Sequence, residues 1–96
     1  MLTWPSKDTD EILDYQLDWN DPVNPRLEAT EELVSSDWSV VQGDVVIDSS
    51  SFAVSGLSTV WLSGGTTDTK CILLNRVTTS LGRTYDQSVV LRIRTH

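Results

Sequence analysis

The sequence predicts an all-β fold, a small immunoglobulin-like antiparallel β-sandwich of about seven strands with an irregular N-terminal arm. Three observations lead there. Serine and threonine supply 23 of the 96 residues while Lys, Arg and Glu are sparse, a balance that suits strands better than helices. Apolar residues recur with a period of two in several short runs. Gly, Pro, Asx and Ser clusters separate those runs at close intervals. A chain of this length supports a single core. The reading divides it into an arm over residues 1–11 and one sandwich domain over 12–96.

The first strand is the clearest. Leu13, Tyr15, Leu17 and Trp19 alternate with Asp14, Gln16 and Asp18, which places apolar side chains on one face and two carboxylates on the other. Asn20 to Pro25 holds two prolines among Asx residues and reads as a loop. Residues 26–35 are too short for a stable isolated helix and read as a loop entering a strand. Strands 36–41 and 45–48 flank Gln42-Gly43-Asp44 and read as a hairpin. Ser49-Ser50-Ser51 is a polar break before Phe52-Ala53-Val54. Thr59, Trp61 and Ser63 alternate with Val60 and Leu62 up to Gly64-Gly65, and residues 63–69 form a loop tip. Cys71, Leu73, Asn75 and Val77 then alternate with their polar or outward neighbours. Ser80 to Arg83 makes a turn, and Tyr85, Gln87, Val89, Leu91 and Ile93 alternate back along a second long strand.

The net charge of −7 conceals an asymmetry. Residues 1–48 carry twelve acids and two bases, whereas residues 49–96 carry two acids and five bases. An acidic whole argues against binding nucleic acid or an anionic membrane, and no apolar run approaches the ~20 residues of a membrane-spanning helix. The split has two readings: solvated charge on separate edges, or a head-to-tail interface in which the acidic flank of one copy meets the basic flank of the next.

The residues that carry chemistry are thinly supplied. The one histidine is His96, at the end of the sequence, so no interior imidazole can activate a nucleophile. The one cysteine, Cys71, excludes an internal disulfide or a cysteine zinc site, and its place in an alternating strand makes it a core thiol. Gly64-Gly65 lacks the spacing of a phosphate loop. Asp8, Asp10 and Glu11, with Asp14 behind them, gather carboxylates without the glycine-centred loop of a calcium site. The expectation is therefore no enzyme, no metal and no cofactor. Of the four tryptophans, Trp19, Trp38 and Trp61 fall in strands and are expected in the core. Trp4 lies in the arm, placed to dock into a partner or back onto its own domain.

A set of motifs in fixed order points further. Trp4-Pro5-x-Lys7-Asp8-x-Asp10-Glu11-x-x-Asp14-Tyr15-x-x-Asp18-Trp19 is followed by Trp38-x-Val40 and Ser49-Ser50-Ser51-Phe52. Then come Val60-Trp61-Leu62-Ser63-Gly64-Gly65, Asn75-x-x-Thr78-Thr79 and Gly82-Arg83. Together these resemble the small tailed-bacteriophage and prophage proteins described as fiber-tail adaptor or neck structural proteins. The resemblance implies a non-enzymatic virion component with a β-sandwich fold. Such a protein joins neighbouring tail or neck proteins, helps attach tail fibres, and stays soluble in the host cytoplasm before assembly.

Within that reading, Trp4, Lys7, Asp8, Asp10 and Glu11 are expected as arm contacts to a partner. Asp14 and Asp18 are expected to face Arg92 or Arg94 of a neighbouring copy in a homo-oligomeric ring. The rival is a free-standing sandwich that binds a carbohydrate or protein ligand, which requires exposed aromatics. A calcium-dependent, cadherin-like domain is a second rival.

Overall fold

A computed structural model of the chain describes residues 2–20, 26–28 and 30–95. Most of the expected loop at 20–25, namely 21–25, lies outside the described residues, as do Met1, Ala29 and His96. The described residues form seven strands and no helix: β1 (Leu2–Thr3), β2 (Leu13–Asp18), β3 (Leu33–Gln42), β4 (Val45–Phe52), β5 (Leu57–Gly64), β6 (Thr69–Thr79) and β7 (Thr84–Ile93). They make a four-stranded sheet in the order β1-β7-β6-β3 and a three-stranded sheet in the order β2-β5-β4. All pairings are antiparallel except β1 with β7, which is parallel.

The β6–β7 hairpin follows the alternation of its sequence. Cys71, Leu73, Asn75 and Val77 are buried on β6, and Val89, Leu91 and Ile93 on β7. Period two sends every second side chain inward, so Lys70, Arg76 and Arg92 stand on the outer face. In β2 the buried residues are Tyr15 and Leu17, with Trp19 just beyond the strand, while Asp14, Gln16 and Asp18 are exposed. The main core lies between the sheets around Tyr15, Val45, Val60, Leu62, Cys71, Leu73, Leu91 and Ile93.

Two expectations are corrected. Strands 36–41 and 45–48 do not pair with each other: β3 pairs with β6 in one sheet and β4 pairs with β5 in the other. The Gln42-Gly43-Asp44 turn thus carries the chain from sheet to sheet. Gly43 sits there at φ +102°, where a Cβ would come within 2.5 Å of Cys71 Sγ, so the turn presses on the core and needs glycine. The polar run Ser49-Ser50-Ser51 is not a break, since β4 continues through it to Phe52 and pairs with β5 along its length. Serine is acceptable there because β4 is the edge of its sheet and those residues meet solvent.

Bulges explain the places where alternation fails. Register shifts fall between Leu33 and Ser35, between Val40 and Gln42, and between Ile47 and Ser49. Each inserts one unpaired residue, namely Val34, Val41 and Asp48. All three are exposed, and after Val34 the inward phase resumes at Ser36, Trp38 and Val40. The extra residue absorbs the phase error that an apolar pair such as Val40-Val41 would otherwise force on the sheet.

The inter-sheet space also holds a closed polar network. Trp19 Nε1 donates to Asn75 Oδ1 at 2.9 Å, and Asn75 Nδ2 donates to Ser36 Oγ at 3.0 Å and to the Asp37 carbonyl at 3.1 Å. The Ser36 and Ser58 hydroxyls lie 2.7 Å apart, and Trp38 Nε1 donates to Ser58 Oγ at 2.9 Å. Among the described residues no buried side-chain nitrogen or oxygen lacks a partner. Replacing Asn75 with alanine strands the Trp19 indole N–H and opens a void, so Asn75→Ala is expected to lower unfolding stability by about 3 kcal/mol. Denaturant unfolding followed by circular dichroism checks this; a loss below about 1 kcal/mol would show that the network is dispensable.

Candidate functional site

Sandwiches of this size have little interior to spare, so contacts with other molecules fall to the arm, the edges and the two outer faces. The arm lies along β7. Beyond the β1 pairing, Trp4 N donates to Val90 O at 3.0 Å, Lys7 N to Arg92 O at 3.0 Å, and Arg94 N back to Lys7 O at 2.8 Å. Trp4 turns inward, stacked on Tyr15 with centroids 4.7 Å apart and 5.5 Å from the Trp38 ring. Tyr15 Oη donates to Pro5 O at 3.1 Å. Lys7 is fully buried, and its Nζ donates to Asp8 O at 2.7 Å and Gly64 O at 2.8 Å. An ammonium removed from water requires such acceptors. Thr9 Oγ1 adds a bond to Gly65 O at 3.1 Å. These contacts fasten residues 7–9 to the loop after β5.

The arm residues expected to reach a partner are therefore placed differently from one another. Lys7 offers its side chain to its own chain, which corrects its assignment as an outward contact: its ammonium is fully buried and bonded to two carbonyls of its own chain, so it does not reach the surface. Trp4 is half-buried and takes the second of its two expected roles, docking onto its own domain. Asp8 Oδ1 accepts from Asp10 N at 2.9 Å and Glu11 Oε1 accepts from Asp8 N at 2.8 Å. These carboxylates thus shape a tight turn, and only Asp10 of the three is exposed. Among the described residues no group of three or more His, Cys, Asp or Glu side chains is arranged to hold a metal ion.

Asp14 and Asp18 stand on the outer face of β2, opposite Trp61 and Leu57 of β5. Arg92 stands on the outer face of β7, directly opposite Lys70 of β6, and Arg94 follows just beyond the strand. The acids and the arginines thus occupy opposite outer faces of the sandwich, and one chain cannot bring them together. Lys70, Arg92 and Arg94 line an open depression of ≈ 190 Å³ with Asp68, Thr69 and Ile93. Arg76, further along, is already paired with Asp86 at 2.8 Å.

Trp61 was expected in the core and is instead 43 % exposed. Val60 and Leu62, its neighbours in sequence, are fully buried and claim the inner face. The signal was present: a strand reading Thr-Val-Trp-Leu-Ser offers either two aliphatic residues or one tryptophan flanked by hydroxyls, and the aliphatic pair fills a core with no polar group to satisfy. Lys70 was counted among the bases but not singled out; only the register of β6 on β7 sets it beside Arg92.

Glu31 is buried beside β6, where Thr79 Oγ1 donates to its Oε2 and the Glu28 amide to its Oε1 at 3.1 Å. The Thr79 hydroxyl first, then the Glu28 amide and the Arg83 guanidinium, hold its carboxyl below the usual glutamate range. Burial, with a smaller push from Glu11, drives the Tyr15 phenol the other way, from 10.0 up to about 12.

The profile of the podophage GP4 fiber-tail adaptor protein gp77 family matches residues 7–92 of the chain. No curated protein matches significantly. Among solved structures, the solution structure of the PKD domain from the KIAA 1837 protein is similar, with a TM-score of 0.50 and 18 % identity, over 99 % of this chain and 78 % of that one. This likeness concerns the fold: an immunoglobulin-like sandwich.

Two outcomes follow from the arm. Lys7→Ala leaves Gly64 O without its donor, so amide hydrogen exchange at Lys7 and Arg94 is expected to quicken by at least about tenfold while the β6 amides keep their protection; unchanged exchange would mean that the strand pairing alone holds the arm. The difference spectrum at 295 nm between the native chain and Tyr15→Phe is expected to titrate near pH 12. Because the folded state keeps this proton longer than the unfolded state, the contribution to stability is present below pH 10 and is lost as pH rises towards 12. A midpoint near 10 would show Tyr15 open to water.

Proposed function

This chain belongs to the podophage GP4 fiber-tail adaptor family, and on that premise we propose that it acts in the virion tail as a connector between neighbouring tail or neck proteins and a tail fibre. The observation that carries the reading is the family match over residues 7–92, which takes in β2 to β6, β7 up to Arg92, and the arm from Lys7 onward. The physical features agree with it. Among the described residues the exposed chemistry consists of charge, sheet edges and nine large apolar side chains, which suits contact between proteins.

Assembly in this reading is homo-oligomeric, with copies set head to tail in a ring. Asp14 and Asp18 of one copy approach Arg92 and Arg94 of the next, because charge on opposite faces orients successive copies. Asp10, exposed on the turn, is left for a different tail protein. Ring symmetry multiplies weak single contacts.

Charge-matched assembly is sensitive to salt, since the screening length falls from about 10 Å at 0.1 M to about 3 Å at 1 M. Light scattering is expected to give a multimeric mass at low salt that falls towards the monomer at high salt. The double variant Asp14→Lys, Asp18→Lys is expected to abolish the multimer and to reduce incorporation into tails, with only a small drop in melting temperature from loss of the 3.0 Å hydrogen bond that Asp18 Oδ1 accepts from Asn20 N. Normal incorporation of the double variant would overturn the charge matching, and absence of the chain from purified tails would overturn the connector role.

A further inference from the structure

Two features of the outer faces are costly to an isolated chain. Trp61 holds a large ring in water on the three-stranded sheet, with Asp14 across from it on β2 and Ser49 on β4. Lys70 and Arg92 are direct cross-strand partners on the four-stranded sheet, and like charges in that position repel. Among the described residues neither makes an ion pair. Beside them on the same face lie the half-buried Ile72 and Leu74, with Val90, the partner of Ile72, buried, and the exposed bulge residue Val41 nearby on β3.

The two faces complement each other. One presents an aromatic ring bordered by carboxylates; the other presents an apolar strip bordered by two cations. We infer that the outer face of β2-β5-β4, centred on Trp61, docks on the outer face of β6-β7 of a second copy. The inference rests on the self-assembly in the reading above and deepens it by naming the anchor and the socket. Trp61 lies over the half-buried Ile72, one row of the sheet from Lys70 and Arg92. From there the ring takes the Arg92 guanidinium on its face, while Asp14, on the neighbouring strand, meets Lys70. In this docking Asp14 and Asp18 approach the Lys70, Arg92 and Arg94 cluster together rather than pairing one to one with Arg92 and Arg94. Four residues along a strand span about 13 Å, and two span about 7 Å, so the two carboxylates and the two arginines do not meet in matched pairs. Buried aromatic anchors within polar rims carry most of the energy of such contacts.

The contact is heterologous, face to opposite face, so it builds a ring or a stack rather than a closed pair. Trp61 is also the most exposed of the four tryptophans, so its quenching by acrylamide reports the face directly.

Self-association is followed by sedimentation at low salt, with acrylamide quenching in parallel. The native chain is expected to protect Trp61 as it associates. Trp61→Ala is expected to weaken association by about thirtyfold, and Lys70→Glu to weaken it comparably. Mixing Lys70→Glu with Asp14→Lys is expected to restore assembly, because each supplies the charge the other has reversed. Zero-length carbodiimide coupling is expected to join Asp14 of one chain to Lys70 of another. A chain that stays monomeric at millimolar concentration overturns the proposal, as do Trp61→Ala with association within twofold of native, or coupling through other faces. Protection of Trp61 by a soluble oligosaccharide, with no self-association, would replace it with a sugar-binding face. Incorporation of Trp61→Ala into tails at the native level would sink this docking surface and leave the connector role standing.

Discussion

One buried amide governs how the two sheets meet. Asn75 makes three hydrogen bonds to two places in the fold: it accepts from the Trp19 indole after β2 and donates to the Ser36 hydroxyl and the Asp37 carbonyl of β3. Ser36 then touches Ser58 of β5, and Ser58 receives the Trp38 indole. The chain of bonds crosses the inter-sheet gap in both directions. Apolar packing alone tolerates sliding, whereas each polar atom here has a single place to go and costs about 1–3 kcal/mol if stranded. A slip of β3 on β6 by one residue would turn Asn75's partners outward. The network therefore sets the relative position of β2, β3, β5 and β6, and everything displayed on their outer faces inherits that position.

The arm solves a second problem. Without it β7 would be the edge of the four-stranded sheet, long, flat and rich in Val, Leu and Ile, a ready template for stray pairing. Two residues of parallel strand and three further backbone bonds at Trp4, Lys7 and Arg94 close the C-terminal half of that edge, from Val89 onward. Trp4 fills the end of the core, and the Lys7 ammonium ties the segment to the β5–β6 loop through Gly64. This makes the arm part of the domain's stability and leaves Asp10 as the exposed carboxylate of its turn.

Much of the architecture was legible in the sequence because period two is unambiguous where apolar and polar residues alternate cleanly, as in Leu13–Trp19 and Cys71–Val77. The β6–β7 hairpin was readable to within two residues for the same reason. Pairing was not readable for β3 and β4, since the short Gln42-Gly43-Asp44 turn serves equally for a hairpin within one sheet or a crossing between two. What decides is the long-range match of β3 to β6, which no local window contains. Trp61 was misplaced because residue size was weighed before the alternation of its neighbours. Lys7 was misplaced because a lysine among acids in a polar arm looks solvated; only the fold brings the Gly64 carbonyl to it. The charged residues of the outer faces were found by type, yet which stood beside which depended on register.

The charge split along the sequence becomes a split between faces through topology. β6 and β7 are consecutive in sequence and adjacent in one sheet, so Lys70, Arg76 and Arg92 fall on the same outer surface. β2 belongs to the other sheet, so Asp14 and Asp18 fall on the opposite one. A different connection order would have set the acids beside the bases and neutralised both within one chain. Arg76 shows that outcome locally, held by Asp86 on the next strand, whose carboxyl it keeps below the usual aspartate range. Exposed ion pairs contribute at most about 1 kcal/mol and are screened beyond about 8 Å at physiological salt. Separated charges of this kind therefore orient an approaching molecule more than they hold it. Holding requires apolar area at the same place, and the two outer faces carry it where their charges lie: Trp61 beside Asp14 on one, the half-buried Ile72 beside Lys70 and Arg92 on the other.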